Sequence, residues 1–159
     1  MSSVLETPHS APAKGDHATC STPQLLAAGA ISALSLKSHV RAGFPSPAED
    51  FQAKRIDVLE RLVKHPQATY SMIVRGESMR EAGIFDGDVL LVDRAIKPSH
   101  GQIVVAVVDG DFTCKQLWLR SGRLKLKAAN PTFADITPTE GQTVEVWGVV
   151  IASIKQFKS

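Results

Sequence analysis

The chain has 159 residues, of which 43% are hydrophobic, so it suits one compact domain with a tail and excludes a wholly disordered protein. A formal net charge of +2 is nearly neutral and does not favour direct binding of nucleic acid through phosphate contacts. The two cysteines, Cys20 and Cys114, build no disulfide framework or C-x-x-C pair, and the histidines lack ligand spacing, so we expect a cytoplasmic protein without a metal ion or cofactor.

The beginning of the chain is predicted to be an arm. Residues 1–23 are rich in Ser, Thr, Pro, Ala and His and contain almost nothing large to bury, which predicts a mobile tail. Residues 24–40 are predicted to form either a short helix or an extended arm. The apolar stretch at 25–34 is too short to span a bilayer and lacks a basic segment before it, so no membrane association is expected.

Residues 41–50 are predicted to be extended. They read RAGFPSPAED, and the two prolines, Pro45 and Pro47, forbid a helix through the stretch. The small residues Ala42 and Gly43 leave the peptide bond between them sterically open. Ordinary linkers have the same composition, so the stretch alone does not identify a cleavage site.

The remaining chain changes from helical to strand periodicity. Residues 51–65 are predicted to form an amphipathic helix that Pro66 ends, because Ile56, Leu59 and Val63 lie close to one stripe. Beyond it, apolar runs separated by turn signals predict strands at 69–74, 88–92, 102–108, 113–119, 123–127 and 143–154. Many short strands with regular turns favour a mainly antiparallel β domain.

Lys115 is the first candidate for chemistry. Alternate side chains of a strand share a face, so Lys115 points the same way as Leu117 and Leu119. Such a lysine can extend to the edge of the apolar surface, mark an outer contact surface, or be buried and neutral and act as a general base. A neutral form at pH 7 requires the pKa to fall by about 3 units, which burial can supply. Cys114 is expected to point to the opposite face and to pack.

Ser78 is the second candidate. It follows an apolar strand and Gly76, and a turn there can expose the hydroxyl and aim backbone N–H groups at an oxyanion. A turn serine that caps the next segment is the alternative, since the stretch is not a G-x-S-x-G elbow. A Ser/His/Asp triad through His100 is a rival arrangement, but nothing singles out one aspartate among Asp86, Asp88, Asp93 and Asp109.

Several weak motifs in a consistent order resemble the LexA-like peptidase domain. They are GESM at 76–79, G-I-x-D-G-D at 83–88, an aspartate at 93, G-x-I-V at 101–104 and F-T-x-K at 112–115. The stretch AGFPSPA at 42–48 resembles the cleavage region of the UmuD/MucA-type SOS mutagenesis proteins, and VWGVV at 146–150 resembles their closing strand. The resemblance runs from about residue 41 to residue 154.

The resemblance implies a fold, a site and a division of the chain. The implied fold is a LexA- and signal-peptidase-like antiparallel β domain with a mobile N-terminal arm. Ser78 maps to the nucleophile, Lys115 to the general base, and Ala42–Gly43 to the scissile bond. Residues 1–42 would be the arm removed by self-cleavage, and residues 43–159 would be the peptidase and dimerisation domain.

The resemblance also implies an SOS-response function and partners. Self-cleavage would be stimulated by a RecA-type filament on single-stranded DNA, and the homodimeric product would serve a UmuC-type, Y-family error-prone DNA polymerase in translesion synthesis. The alternatives are a non-catalytic dimerisation or polymerase-binding module and, less favoured, a LexA-like repressor, for which the 42 residues before the cleavage site are too few to hold a DNA-binding domain. A signal-peptidase-like enzyme shares the chemistry but is disfavoured because no membrane anchor is expected.

Overall fold

The computed structural model describes residues 19–26, 32–36 and 53–159. In these ranges one short helix, α1 (Val58–Leu62), accompanies ten strands. The strands are β1 (Thr19–Cys20), β2 (Gln24–Leu25), β3 (Ser32–Leu36), β4 (Ala53–Asp57), β5 (Thr69–Arg75), β6 (Val89–Asp93), β7 (Ile103–Val108), β8 (Asp111–Arg120), β9 (Arg123–Lys127) and β10 (Val144–Ile154). Among these same residues, no helix is long and apolar enough to cross a membrane.

One antiparallel sheet dominates the fold. Its strands follow the order β1-β5-β6-β10-β7-β8-β9, and β2 adds to β5. Because β1 pairs with β5 and also with β8, through Thr19 and Thr113, it closes the sheet into a barrel-like ring. Strands β3 and β4 form a separate antiparallel pair. The prediction of a mainly antiparallel β domain is therefore confirmed.

The six predicted strands are all present. Strand β9 has the predicted ends, and the ends of the others differ from the prediction by one or two residues. The largest difference is in β8, which spans Asp111–Arg120 where 113–119 was predicted. The two hairpin turns are also present, since Asp109 and Ser121 have φ values of 49° and 50° and each precedes a glycine of positive φ. Two successive positive φ values are the geometry of the tight turn that matches the twist of adjoining strands.

Part of the predicted tail is ordered, although its composition predicts mobility. A mobile tail over 1–23 is wrong for Thr19–Cys20, which form strand β1, because backbone pairing with two strands needs no large side chain. For residues 24–40 the extended alternative is found wherever the segment is described, in β2 and β3. Residues 1–18, 27–31 and 37–52, which include the Ala42–Gly43 bond, lie outside the described residues.

The helix predicted over 51–65 is wrong for most of its length. Residues 53–57 form β4, paired with β3, and the helix covers only Val58–Leu62, ending before Pro66. Asp57 separates the two elements, since its carboxylate accepts the N–H groups of Leu59 at 2.9 Å and Glu60 at 3.2 Å. An aspartate is favoured at this capping position over a helix interior, so the helix begins after it.

Both faces of the sheet are buried. Along β7, Val105 belongs to one core cluster, while Val104 and Ala106 belong to the other. The first cluster also contains Met72, Val74, Met79, Ile84, Leu90, Val92 and Cys114, and the second also contains Leu117, Leu126 and Val149. Burial of both faces explains why these strands read as nearly continuous apolar runs.

At Gly148, β10 packs tightly against β6. A Cβ atom there would lie 2.7 Å from Val92 Cγ1 and 3.3 Å from the Asp93 carbonyl oxygen. We expect Gly148→Ala to lower the free energy of unfolding by about 1–3 kcal/mol, measured by urea denaturation, because the buried neighbour cannot move freely. In a Val92→Ala background the same change is expected to cost much less, and an equal cost in both backgrounds would contradict this explanation.

Candidate active site

Ser78 lies in a turn that follows β5. Gly76, with a φ of 95°, redirects the chain at the end of the strand, and its N–H group donates to Asp86 Oδ1 at 2.8 Å. The chain then enters a 3₁₀ turn at Arg80–Ala82. Between these two points the Ser78 side chain is fully buried, with 0% exposure. The turn predicted after the apolar strand is present, but its serine faces the protein interior.

The backbone of this turn is held by the residues after β9. The Ala129 N–H donates to the Ser78 carbonyl at 2.8 Å, and Asn130 Nδ2 donates to the Glu77 carbonyl at 2.9 Å. The Glu81 N–H in turn donates to the Ala129 carbonyl at 2.8 Å. These bonds on both sides of Ser78 fix the position of its side chain, which a reactive group requires.

Lys115 reaches Ser78 from β8. Its side chain is 0% exposed, and its Nζ lies 2.7 Å from Ser78 Oγ. The same nitrogen donates to Thr113 Oγ1 at 3.3 Å and to the Cys114 carbonyl at 3.1 Å. A neutral amine has two N–H groups and one lone pair, so the two donated bonds leave the lone pair for the Ser78 hydroxyl. Of the three explanations for this lysine, burial is the one found.

Burial also determines the protonation of the site. It lowers the pKa of Lys115 from 10.5 to about 8, and it outweighs the opposing effect of the Asp135 carboxylate. Burial raises the pKa of Cys20 to about 12, and raises that of Cys114 as well. Both thiols therefore stay protonated near neutral pH and place no charge beside the lysine. About one tenth of the Lys115 side chains are then neutral at pH 7.

Cys114 packs as expected. Its side chain is fully buried in the first core cluster, with Val74 and Val105. It neighbours Lys115 in β8 but lies on the opposite face, because Lys115 pairs with Val104, which belongs to the second cluster. The contribution of Cys114 to the site is its carbonyl oxygen, which accepts from Lys115 Nζ.

The rival triad is not assembled. The ring nitrogens of His100 face the end of β8, where Nδ1 accepts the Leu119 N–H at 3.1 Å and Nε2 lies 3.4 Å from Arg120 Nη2. The four aspartates considered for it bind elsewhere: Asp86 to Gly76, Asp88 to Lys155, Asp93 to His65, and Asp109 to Gln142. Within the described ranges, no group of three or more His, Cys, Asp or Glu side chains could hold a metal ion.

Three contributors to the site were missed in the sequence. Thr113 lies two residues before Lys115 and shares its face, so strand alternation contains the signal for it. Asn130 binds the turn from a distant loop, and no pattern in the sequence indicates that contact. Cys20 packs against the core cluster that contains Cys114, although it belongs to the predicted tail.

The buried lysine predicts a specific pH dependence of stability. Its pKa is 10.5 when unfolded and about 8 when folded, so the unfolded chain binds more protons between these values. The free energy of unfolding therefore rises by about 3 kcal/mol because of Lys115 as the pH rises from 8 to 10.5. It falls by the same amount when the pH returns from 10.5 to 8. Lys115→Met lacks this contribution, so the stability difference between the two proteins should change across that range in urea titrations. A constant difference would contradict a buried, titrating Lys115.

Comparison with known proteins gives consistent matches. The Peptidase S24-like family profile matches residues 34–151. MucA of Salmonella typhimurium is 45% identical over 117 residues, which cover 72% of this chain and 79% of MucA. SamA of Salmonella typhimurium strain LT2 is 40% identical over 118 residues, 74% of this chain and 81% of SamA. A LexA repressor from Cupriavidus taiwanensis is 38% identical over 122 residues, 77% of this chain but 56% of the repressor.

Proposed function

The chain belongs to the Peptidase S24-like family, and from this premise we propose that it is a UmuD/MucA-type SOS mutagenesis protein that cleaves itself between Ala42 and Gly43. The observation that carries the proposal is the 2.7 Å contact between Lys115 Nζ and Ser78 Oγ in a buried site. A buried serine and lysine in such contact can act as a nucleophile and its base, and this supports the proposal. The matches to MucA and SamA are higher in identity than the match to the LexA repressor, and the proposal follows them.

The proposed reaction begins with proton transfer. The neutral Lys115 amine takes the Ser78 hydroxyl proton as Oγ attacks the Ala42 carbonyl carbon, which forms a tetrahedral oxyanion. Backbone N–H groups of the turn around Ser78 are the proposed donors to that oxyanion. Collapse of the intermediate breaks the bond to Gly43, whose amine receives the proton from Lys115. Water then hydrolyses the ester at Ser78, again with Lys115 as the base.

The arrangement of the lysine supports this role. The Thr113 hydroxyl and the Cys114 carbonyl accept both N–H groups of the neutral amine, so its lone pair is directed at Ser78 Oγ. Burial supplies the neutral form, since it lowers the pKa of Lys115 to about 8. A charged lysine would donate to the same hydroxyl and could not accept its proton, so the reaction depends on the neutral fraction.

The assignment of the scissile bond rests on the sequence. The AGFPSPA stretch at 42–48 lies inside the range that the family profile matches. Cleavage there would remove residues 1–42 as the arm and leave residues 43–159 as the product, which contains all of β4 to β10. Both Ser78 and Lys115 remain in the product, whereas β1, β2 and β3 belong to the part that is removed.

The proposed partners follow from the similarity to MucA and SamA. A RecA-type filament on single-stranded DNA would stimulate cleavage by favouring the conformation in which the scissile segment is docked, without supplying a catalytic group. The product would act as a homodimer with a UmuC-type DNA polymerase in translesion synthesis. Exposed apolar side chains at the C-terminal end, including Phe157 at 80% exposure, offer a surface for the second copy.

Incubation with a RecA filament tests the proposal. The purified chain is mixed with RecA protein, single-stranded DNA and a slowly hydrolysed nucleotide, and release of residues 43–159 is followed by gel electrophoresis. We expect the filament to accelerate release from the wild type and to have no effect on Ser78→Ala. Equal rates with and without single-stranded DNA would contradict the SOS function while leaving self-cleavage intact.

A further inference from the structure

The first strand occupies an unusual position beside the dyad. Thr19 of β1 pairs with Arg75, at the end of β5, and with Thr113 of β8. The chain reaches Ser78 three residues after Arg75, and Lys115 lies two residues after Thr113. Residues 19–26, here called the strap, therefore begin between the two strands that position the nucleophile and the base.

The strap is held mainly by its backbone. Ser21 N–H donates to the Ile73 carbonyl at 2.9 Å, while the Ile73 N–H donates to Ser21 Oγ at 2.9 Å. The Leu26 N–H donates to the Thr69 carbonyl at 3.2 Å. The Leu25 side chain, in contrast, is 56% exposed. Main-chain pairing of an extended segment with a sheet edge is a general mode of peptide binding, and it tolerates different side chains.

The strap also fills the edge of β5 that leads to the site. The Cys20 side chain packs against the core cluster that contains Val74 and Cys114, on the face of the sheet opposite Lys115, while its neighbour Thr19 pairs with Thr113, which shares the Lys115 face. Ser78 and Lys115 are both 0% exposed. A nucleophile must come within about 3–3.5 Å of the carbonyl that it attacks, so two buried side chains need a rearrangement nearby before a substrate peptide can react, and the strap is paired with the strands that carry both of them.

We propose that the groove between β5 and β8 binds one extended peptide at a time, that the strap occupies it in this structure, and that the Ala42–Gly43 segment must displace the strap before cleavage. The identity of the displacing segment rests on the proposed function. The strap is then an intramolecular competitor, and the cleavage rate equals the intrinsic rate multiplied by the fraction of molecules whose groove is free of it.

The two competing segments share a sequence feature. The strap contains the small residues Cys20 and Ser21, and the proposed scissile bond joins the small residues Ala42 and Gly43. Backbone pairing supplies little discrimination between two such segments, so the groove accepts both. The strap lies ahead of the scissile segment in the same chain. The tail that carries the strap therefore controls how often the groove is open to the scissile segment.

Labelling of Cys20 tests the shared groove without any cleavage. Burial raises the pKa of Cys20 from 9.0 to about 12, which lowers its thiolate fraction by about 10³-fold while the strap is docked. Full-length Ser78→Ala protein is treated with a maleimide, and the labelled peptides are identified by mass spectrometry. A synthetic peptide of residues 37–48 should accelerate labelling of Cys20, and a scrambled peptide should not. A rate of Cys20 labelling that the peptide leaves unchanged would overturn the proposal. A Cys20 that reacts as fast as a free thiol in the absence of the peptide would overturn it as well.

A substitution in the strap tests its effect on the rate. Ser21→Pro removes the N–H group and the hydroxyl that bind Ile73, and it touches neither Ser78 nor Lys115. We expect about tenfold faster self-cleavage, because the undocked fraction grows. Thr22→Ala, which removes an exposed hydroxyl next to it, is the matched control and should cleave at the wild-type rate.

The outcomes separate this inference from the proposed function. Faster Cys20 labelling in Ser21→Pro with an unchanged cleavage rate would overturn the strap as a competitor and leave the peptidase intact. A wild type that never cleaves would contradict the proposed function instead. In that case displacement of the strap by the peptide of residues 37–48 still decides whether both segments bind the groove.

Discussion

Lys115→Ala is expected to slow release of the fragment that begins at Gly43 by about 10²- to 10⁴-fold, which is the usual contribution of a general base. The reason is geometric, since Lys115 Nζ lies 2.7 Å from Ser78 Oγ and is directed at it by two further hydrogen bonds. Ser78→Ala should abolish release, because no nucleophile remains. The rates are measured as the fraction cleaved over time at a mildly alkaline pH.

Two further variants test whether a loss of cleavage comes from the missing base, and not from misfolding or from the loss of a positive charge. Lys115→Met fills more of the buried space than alanine and should be folded but inactive. Lys125→Ala, at a half-buried lysine of β9 whose Nζ lies 5.7 Å from the centre of the Trp118 ring, removes the same charge away from Ser78 and should cleave at the wild-type rate. A folded Lys115→Met protein that still cleaves would show that another group is the base.

The rate of self-cleavage is expected to rise with pH and to level off above about pH 9. Only the neutral amine of Lys115 can accept the Ser78 proton, and burial lowers its pKa to about 8. Well below that value each pH unit should raise the rate about tenfold, because the neutral fraction rises tenfold. The measurement is the initial cleavage rate of the purified chain across the range from about pH 6 to about pH 10.

The position of the midpoint distinguishes the buried lysine from an exposed one. A midpoint near 8 is the expected result, whereas a midpoint near the ordinary lysine value of 10.5 would mean that Lys115 is solvated in the reactive state. A rate that falls as the pH rises would contradict the direction of the proposed proton transfer. The thiols should not contribute a second step below about pH 9, because burial raises the pKa of both Cys20 and Cys114.

Much of the β domain was predictable because its signals are local. Strand alternation and turn residues place β5 to β10 within one or two residues, and Asp109-Gly110 and Ser121-Gly122 have the positive φ values that their turns require. The dyad itself needed the resemblance, because a lysine on an apolar strand face has three explanations. Its burial against Ser78 depends on packing that no single segment encodes.

The elements that were missed depend on distant partners. Strand β1 has two residues in a polar tail, and it exists because β5 and β8 present unpaired edges to it. Residues 53–57 lie in a segment with apolar spacing suited to a helix, yet pairing with β3 makes them a strand. Tertiary pairing commonly overrides such local preferences. The Asn130 contact with Glu77 is a single bond between loops, which periodicity cannot reveal.

Intact-mass analysis of the purified chain at about pH 9, beside Ser78→Ala, tests the central claim most directly, since the Lys115 amine is mostly neutral there. The wild type should give two fragments, residues 1–42 and residues 43–159, whose masses together equal the intact chain plus one water. The Ser78→Ala protein should remain intact under the same conditions. A wild type that stays whole in alkali and with a RecA filament, or a Ser78→Ala protein that yields the same fragments, would contradict self-cleavage by this serine and lysine.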